Sequence, residues 1–286
     1  MFNVKSYKML DCGLYVVATP IGNLNDISAR AVDVLNKAET VACEDTRVTK
    51  KLFSLLGISL NKRFICYQNY NEEDKAEGIV NLIAGGEAVV LVSDAGSPLI
   101  SDPGYKLVSL CRRRGIRVYS IPGASALICA LQLAGLPTNR FMFAGFIPNK
   151  DKARADLFKE LKDINTTLIF YETAPRLLKT LQSAGDVFGN REISVVREIT
   201  KMHEDARNGS ADELVQYFTD NPAKGEIVLV VAPPCQNETP SVDIREELLK
   251  LMKTMSLKSA VEEVSAMCGQ SKKNVYNQAL LLKDKQ

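Results

Sequence analysis

The feature that most constrains this chain is an alternation of short β-branched runs with longer helical patterns. Apolar runs at residues 14–18, 40–43, 64–66, 88–92 and 116–119 predict strands, and helical spacing covers 27–37, 47–55, 72–83, 102–114 and 124–134. Such alternation predicts an α/β layer with a mostly parallel sheet. After Gly135-Leu136-Pro137 the pattern restarts, with strands at 141–146, 167–171, 192–197 and 226–232 and helices at 153–161, 175–184 and 211–218. The reading is one α/β domain over residues 12–136 and a second over 137–234. Asp102-Pro103 offers an N-cap followed by proline at the first helical position, and Ser210-x-x-Glu213 offers a capping box. Pro233-Pro234 through Pro240 reads as a linker to a C-terminal helical domain over 241–286, with helices at 242–253, 257–267 and 272–282. The last two follow closely enough to predict a helix-turn-helix.

Composition narrows the chemistry. A hydrophobic share of 46% with 24% charged residues is that of a globular protein. Thirty-six Lys and Arg against 34 Asp and Glu leave +2, so no global basic signal marks a nucleic-acid partner. The one histidine, His203, cannot build a multi-histidine metal site, so no metal is expected and a general base is sought among carboxylates and lysines. Seven scattered cysteines without a C-x-x-C predict reduced thiols in a cytosolic protein. Lys5, Lys8 and Asp11 interrupt the N-terminus, and Pro122 and Pro137 break the uncharged stretch 118–139. A soluble cytoplasmic protein with no membrane segment is expected.

Neither G-x-G-x-x-G after a strand nor G-x-x-x-x-G-K-[ST] occurs, which argues against the usual dinucleotide and nucleoside-triphosphate sites. Glycine and proline instead cluster after three strands, at Thr19-Pro20-Ile21-Gly22-Asn23, Ser93-Asp94-Ala95-Gly96-Ser97-Pro98 and Ile121-Pro122-Gly123-Ala124-Ser125. Any one could be a tight βα turn. Three together point to a ligand cleft built largely from backbone, at the end of the sheet where α/β folds bind ligands. Glu44-Asp45-Thr46-Arg47 follows the second strand, either as an ordinary helix cap or as a group that positions a polar substrate. In the second domain, Tyr171-Glu172 ends a strand, and the ionisable run from Arg197 to Glu204 follows another.

The ordered motifs TPIGN, EDTR, SDAGSPLISDPG, PGASA, GF-x-P, FYE, REITK-x-x-E and KGE resemble the tetrapyrrole-methylase superfamily. More narrowly they resemble the small-subunit (16S) ribosomal RNA ribose 2′-O-methyltransferase I family, over about residues 13–231 and in the C-terminal helices. The resemblance implies a two-domain tetrapyrrole-methylase-like α/β fold with a cofactor cleft between the domains, plus a small helix-turn-helix-like module. It implies S-adenosylmethionine-dependent 2′-O-methylation of a decoding-centre cytidine in 16S rRNA, within the small ribosomal subunit, by a homodimer. By motif, Pro20, Gly22, Asp94, Ala95, Gly96, Ser97 and Ser125 would line the cofactor pocket, with Tyr171, Arg197, Lys224 and Gly225 approaching from the second domain. For catalysis, Glu44 or Asp45 and Lys201 or Glu204 are expected to meet at the 2′-hydroxyl, with Arg47 on a neighbouring phosphate and His203 as the next candidate. RNA affinity needs only local basic groups, and Arg47/Lys50/Lys51, Arg112-Arg113-Arg114 and the C-terminal lysines supply them. The competing readings are a tetrapyrrole, precorrin or other small-molecule methyltransferase on the same fold, and a non-catalytic RNA-binding ribosome-assembly protein.

Overall fold

A computed structural model describes residues 9–70, 72–234, 244–268 and 271–283. The chain divides into two compact units, Met1–Pro233 and Pro234–Gln286. The first holds two five-stranded sheets.

In the first sheet, β1 (Gly13–Val17), β2 (Thr40–Cys43), β3 (Arg63–Cys66), β4 (Ala88–Val92) and β5 (Val118–Ile121) run parallel in the order β3-β2-β4-β1-β5. β2 is buried along its whole length, as a parallel strand covered on both faces must be. Its side chains alternate between two cores. Tyr15, Val41, Cys43 and Val90 pack with α1 (Ala29–Lys37) and α2 (Thr46–Leu55), while Leu14, Ala42, Val89 and Leu91 pack with α3 (Glu72–Ala84) and α4 (Tyr105–Arg113).

The second sheet is mixed. It contains β6 (Phe141–Phe146), β7 (Thr167–Thr173), β8 (Ile193–Arg197), β9 (Asp205–Gly209) and β10 (Glu226–Val231), ordered β6-β7-β10-β8-β9. Only β6 and β7 pair in parallel. One face packs on α6 (Asp151–Leu161), α7 (Leu177–Phe188) and α8 (Ala211–Asp220) through Phe158, Leu181 and Phe218. The other face packs on α5 (Ala126–Leu133), whose Leu127, Ala130 and Leu131 meet Ile169, Val196, Val228 and Val230. That helix belongs by sequence order to the first sheet, so the boundary expected near Leu136 runs between two layers that share it.

Several local expectations are corrected. The helix expected from Asp102 begins at Tyr105, with Gly104 as its N-cap at φ +139° and no side-chain cap. Strand 116–119 is shifted to β5 because Ile116 instead closes the turn after α4, donating its N–H to the Cys111 carbonyl at 2.9 Å. The helix expected from residue 27 begins at Ala29, capped by Ser28, after a 3₁₀ turn at Leu24–Asp26. β9 was hidden by its composition: DARNG is a polar edge strand, of a kind that resists unwanted pairing. The Ser210/Glu213 capping box forms.

The second unit consists of α9 (Ile244–Leu251), α10 (Leu257–Cys268) and α11 (Lys272–Lys283) around Leu248, Val261, Val264, Val275 and Ala279. The expected linker beyond Pro234, residues 242–243 and Gly269-Gln270 lie outside the described residues. Among the described residues the cysteines are free, and no helix is long and apolar enough to cross a membrane.

Candidate active site

The carboxyl ends of β1 and β4 are tied together by paired backbone hydrogen bonds between Thr19 and Gly96, at 2.8 and 3.1 Å. The Thr19 hydroxyl donates to the Ser93 carbonyl at 3.3 Å, and the Ser97 hydroxyl to the Ala124 carbonyl at 3.3 Å. Gly96 sits at φ +79°, a conformation that favours glycine. The three glycine-proline loops are thereby joined into one wall.

Beside that wall lies a cavity of about 380 Å³, lined from the first sheet by Ala95, Gly96, Ser97 and Ser125 and from the second by Tyr171 and Gly225. Those six were candidates by sequence. Pro20, Gly22, Asp94, Arg197 and Lys224 do not line it. Gly22 abuts the Ile199–Lys201 turn so closely that an added Cβ would lie 2.7 Å from Lys201 Cγ and 3.0 Å from the Ile199 carbonyl. Arg197 pairs with Asp205 at 3.2 Å. Asp94 accepts the Asp45 backbone N–H at 3.1 Å.

Sequence reasoning missed Ile100, Ser101, Asp102, Phe146, Glu172 and Ile199 in the lining. Their signal lay in motifs already quoted, SDAGSPLISDPG, GF-x-P, FYE and REITK, but loops without regular periodicity do not show which side chains turn inward. Phe146 reaches the cavity past a register shift in β6 beside Gly145 at φ +74°, the usual way a bulge re-aims a side chain. It packs edge-on against Tyr171 with centroids 5.3 Å apart. The Glu172 side chain is wholly buried and satisfied by the Thr173 N–H at 2.7 Å, the Thr180 hydroxyl at 2.6 Å and Arg176 at 3.1 Å.

Backbone strain collects at this site. Leu99, Ser101, Glu198 and Thr200 hold φ between +50° and +74°. Such conformations cost about 1–3 kcal/mol each and persist where the surroundings impose them, often at functional sites. The Thr200 hydroxyl is buried without a partner, beside Gly22.

Carboxylates surround the first-sheet side. Burial, then the neighbouring Asp94, Asp102 and Asp45, raises the Glu44 pKa. Burial also raises Asp94 and Asp102 above the usual aspartate value. Asp45 behaves oppositely. Its oxygens cap α2 through the Arg47 N–H at 2.7 Å and pair with the Arg47 guanidinium at 2.6 Å, holding it down at about 2. The capping role left open by sequence is therefore filled. Lys201 is paired with Glu198 at 3.0 Å and Glu226 at 2.9 Å. Burial works against its charge, but those carboxylates prevail and raise its pKa. Glu204 accepts the Thr200 N–H at 2.6 Å, and His203 is exposed. Among the described residues no hydrogen bond or ion pair joins the Glu44–Arg47 turn to Lys201 or Glu204.

Among the described residues no Lys or Arg lines the cavity, whereas Asp102 does, together with Phe146 and Tyr171; the lining glutamates are already engaged, Glu172 by Arg176 and Glu226 by Lys201. A cationic, partly aromatic ligand fits such walls, because carboxylates and aromatic faces both favour positive charge. S-adenosylmethionine, with its sulfonium, ammonium and adenine, meets that description.

The sequence matches the Tetrapyrrole (Corrin/Porphyrin) Methylases family over residues 13–215 and the RsmI C-terminal HTH domain over 238–283. It is 48% identical over 278 residues to the ribosomal RNA small subunit methyltransferase I of Erythrobacter litoralis, covering 97% of this chain and 98% of that one. Identity is 42% over 271 residues to the protein of the same name from Escherichia coli O157:H7, covering 93% and 94%. Among solved structures, diphthine synthase superposes with TM-score 0.60 at 16% identity, covering 77% of this chain and 89% of that one. Uroporphyrin-III-C-methyltransferase from Thermus thermophilus superposes with TM-score 0.53 at 19% identity, covering 77% and 93%. The structural likenesses show a shared fold, while the sequence relatives define a narrower group. The chain belongs to the tetrapyrrole methylase family and, within it, to the ribosomal RNA small subunit methyltransferase I family.

Proposed function

We propose that this protein transfers a methyl group from S-adenosylmethionine to the 2′-oxygen of a cytidine ribose in the decoding centre of 16S rRNA. It acts in the cytoplasm on the small ribosomal subunit, as a homodimer. The observation that carries the cofactor reading is a cavity walled by Phe146, Tyr171 and Asp102 with, among the described residues, no lysine or arginine in its lining. The names of relatives at 41–48% identity support ribosomal RNA as the acceptor.

When bound, S-adenosylmethionine supplies a methyl group already activated on a sulfonium. The residues of this chain have then to bind, align and deprotonate. Asp102 favours the positive charge, Phe146 and Tyr171 exclude water, and Ser125 at the start of α5 offers a hydroxyl and helix N–H groups to a carboxylate. Alignment of this kind lowers a barrier by about 7–11 kcal/mol in favourable cases. Glu44 accepts the hydroxyl proton, because its raised pKa brings it nearer the working pH, whereas Asp45 is engaged by Arg47. General-base assistance is worth roughly 10²–10⁴-fold. Lys201 and Glu204 act by holding the turn around Thr200 against Gly22. Arg47, whose side chain is 89% exposed, exchanges Asp45 for a phosphate at little cost, as exposed ion pairs are weak.

The test is methyl transfer from labelled S-adenosylmethionine to small subunits isolated from cells lacking the gene. Label recovered as 2′-O-methylcytidine after digestion of the RNA with nuclease P1 and phosphatase is expected. Label in protein or a small molecule, or none, would remove the proposal.

A further inference from the structure

We infer that Tyr70 and Tyr105 form a stacking platform for unpaired nucleobases beside the methylation target; this rests on the RNA reading above. They are the two most exposed aromatic side chains among the described residues, 84% and 72% accessible. Neither serves the core, and each stands at the carboxyl edge of the first sheet. Tyr70 lies four residues past the end of β3, and Tyr105 is the first residue of α4, three residues past the Ile100–Asp102 stretch that lines the cavity.

One buried carboxylate holds the two loops together. Glu72 is 6% exposed and accepts the N–H of Gly104 at 2.7 Å and of Lys106 at 3.4 Å, so the Tyr105 backbone sits between two groups bound to it. Tyr70 lies two residues before that glutamate. The pairs Lys106–Glu73 at 2.7 Å and Arg114–Glu77 at 3.1 Å continue the contact along α3 and α4. With strand order β3-β2-β4, the turn bearing the exposed Arg47 follows the strand between the two loops.

Charge argues for nucleobases as the occupant. A protein of net charge +2 gains little from a global electrostatic field, so RNA affinity must come from local contacts. Exposed aromatic rings on the sheet edge that also carries a cationic side chain suit single-stranded RNA: π-faces for bases and a guanidinium for phosphate. A protein-docking surface would call for a contiguous apolar patch, whereas the helices beside these rings carry the Lys106–Glu73 pair, and Arg47 lies in the first turn of the helix after the strand between the two loops.

The test uses Tyr70→Ala, Tyr105→Ala, Tyr70→Phe and Tyr105→Phe in the full chain, with small subunits from cells lacking the gene. Each alanine variant is expected to raise KM and the subunit Kd about tenfold, within the range of one lost stack. The phenylalanine variants keep the ring and should stay within about twofold, and all four should bind S-adenosylmethionine like the parent protein. Ultraviolet irradiation of the complex should attach nucleotides to peptides containing Tyr70 or Tyr105. Unchanged KM and Kd in both alanine variants would overturn the platform, as would phenylalanine variants as weak as alanine. Weakened binding with no nucleotide adduct would overturn it in favour of a protein contact. Binding without methyl transfer by the parent protein would remove the proposed activity yet leave the platform standing if the alanine variants bind less. Methyl transfer with unaltered alanine variants would remove only the platform.

Discussion

Gly225 is where the second sheet meets the cavity under the tightest restraint, and replacing it by alanine tests the described packing. Its φ is +81°, and an added Cβ would lie 2.0 Å from Glu198 Oε1, 2.3 Å from Cδ and 2.7 Å from Cγ. The whole Glu198 side chain would have to swing away, abandoning Lys201 Nζ at 3.0 Å and the Glu226 N–H at 3.1 Å. The backbone contributes about 1–2 kcal/mol of strain for an L-residue in this region. The two hydrogen bonds, partly solvated, add about 1–2 kcal/mol together. A total of about 2–4 kcal/mol corresponds to a melting temperature lower by roughly 4–16 °C for a unit of this size. Thermal unfolding measures it, and calorimetry measures the accompanying fall in S-adenosylmethionine affinity, since Gly225 and Glu226 both line the cavity. In a Glu198→Ala background the same change should cost only the backbone strain, so the two effects should be non-additive. A Gly225→Ala protein melting within about 1 °C of the parent, with unaltered affinity, would refute the reasoning.

Other outcomes follow from the same geometry. Asp102→Asn should weaken S-adenosylmethionine about tenfold, near 1.4 kcal/mol, in a calorimetric titration, because it removes a negative wall from a cationic ligand. The raised pKa values of Glu44, Asp94 and Asp102 mean that the folded protein binds their protons more tightly than the unfolded chain. Their burial therefore subtracts stability as pH rises from their ordinary values, 3.8 and 4.5, through the raised ones, and cofactor affinity should rise over the same interval. Titrations at stepped pH check this, and a flat affinity profile would contradict it. Glu72→Ala leaves the buried Gly104 N–H without its acceptor, a loss of about 1–3 kcal/mol, and should loosen the Ile100–Asp102 loop so that cofactor KM rises. Glu72→Gln keeps one acceptor and should recover most of both effects.

Much of the fold was legible in sequence because buried parallel strands leave compact β-branched runs. Thr40–Cys43 and Ala88–Val92 match their predicted ranges for that reason. The mixed pairing of the second sheet was not legible, since β8 and β10 carry the same apolar signal whether parallel or antiparallel. Asp102-Pro103 looked like a cap because its residues suit one. The loop instead spends Asp102 on the cavity and leaves the helix N–H groups to Glu72, thirty-two positions from Gly104. The glycine-proline loops announced the first wall of the site. Gly22 has a different reason for being glycine, close contact with the Ile199–Lys201 turn, which only tertiary structure reveals. The expectation that carboxylates from the first sheet meet Lys201 or Glu204 rested on motif order, and order says nothing of how Glu198 and Glu226 compete for that ammonium.

The central claim is that a ribose oxygen of ribosomal RNA receives the methyl group. Mapping ribose methylation along 16S rRNA from cells with and without this gene tests it most directly. One 2′-O-methylcytidine in the decoding centre, present only when the gene is present, is the expected result. An identical ribose-methylation pattern in both strains would contradict the account.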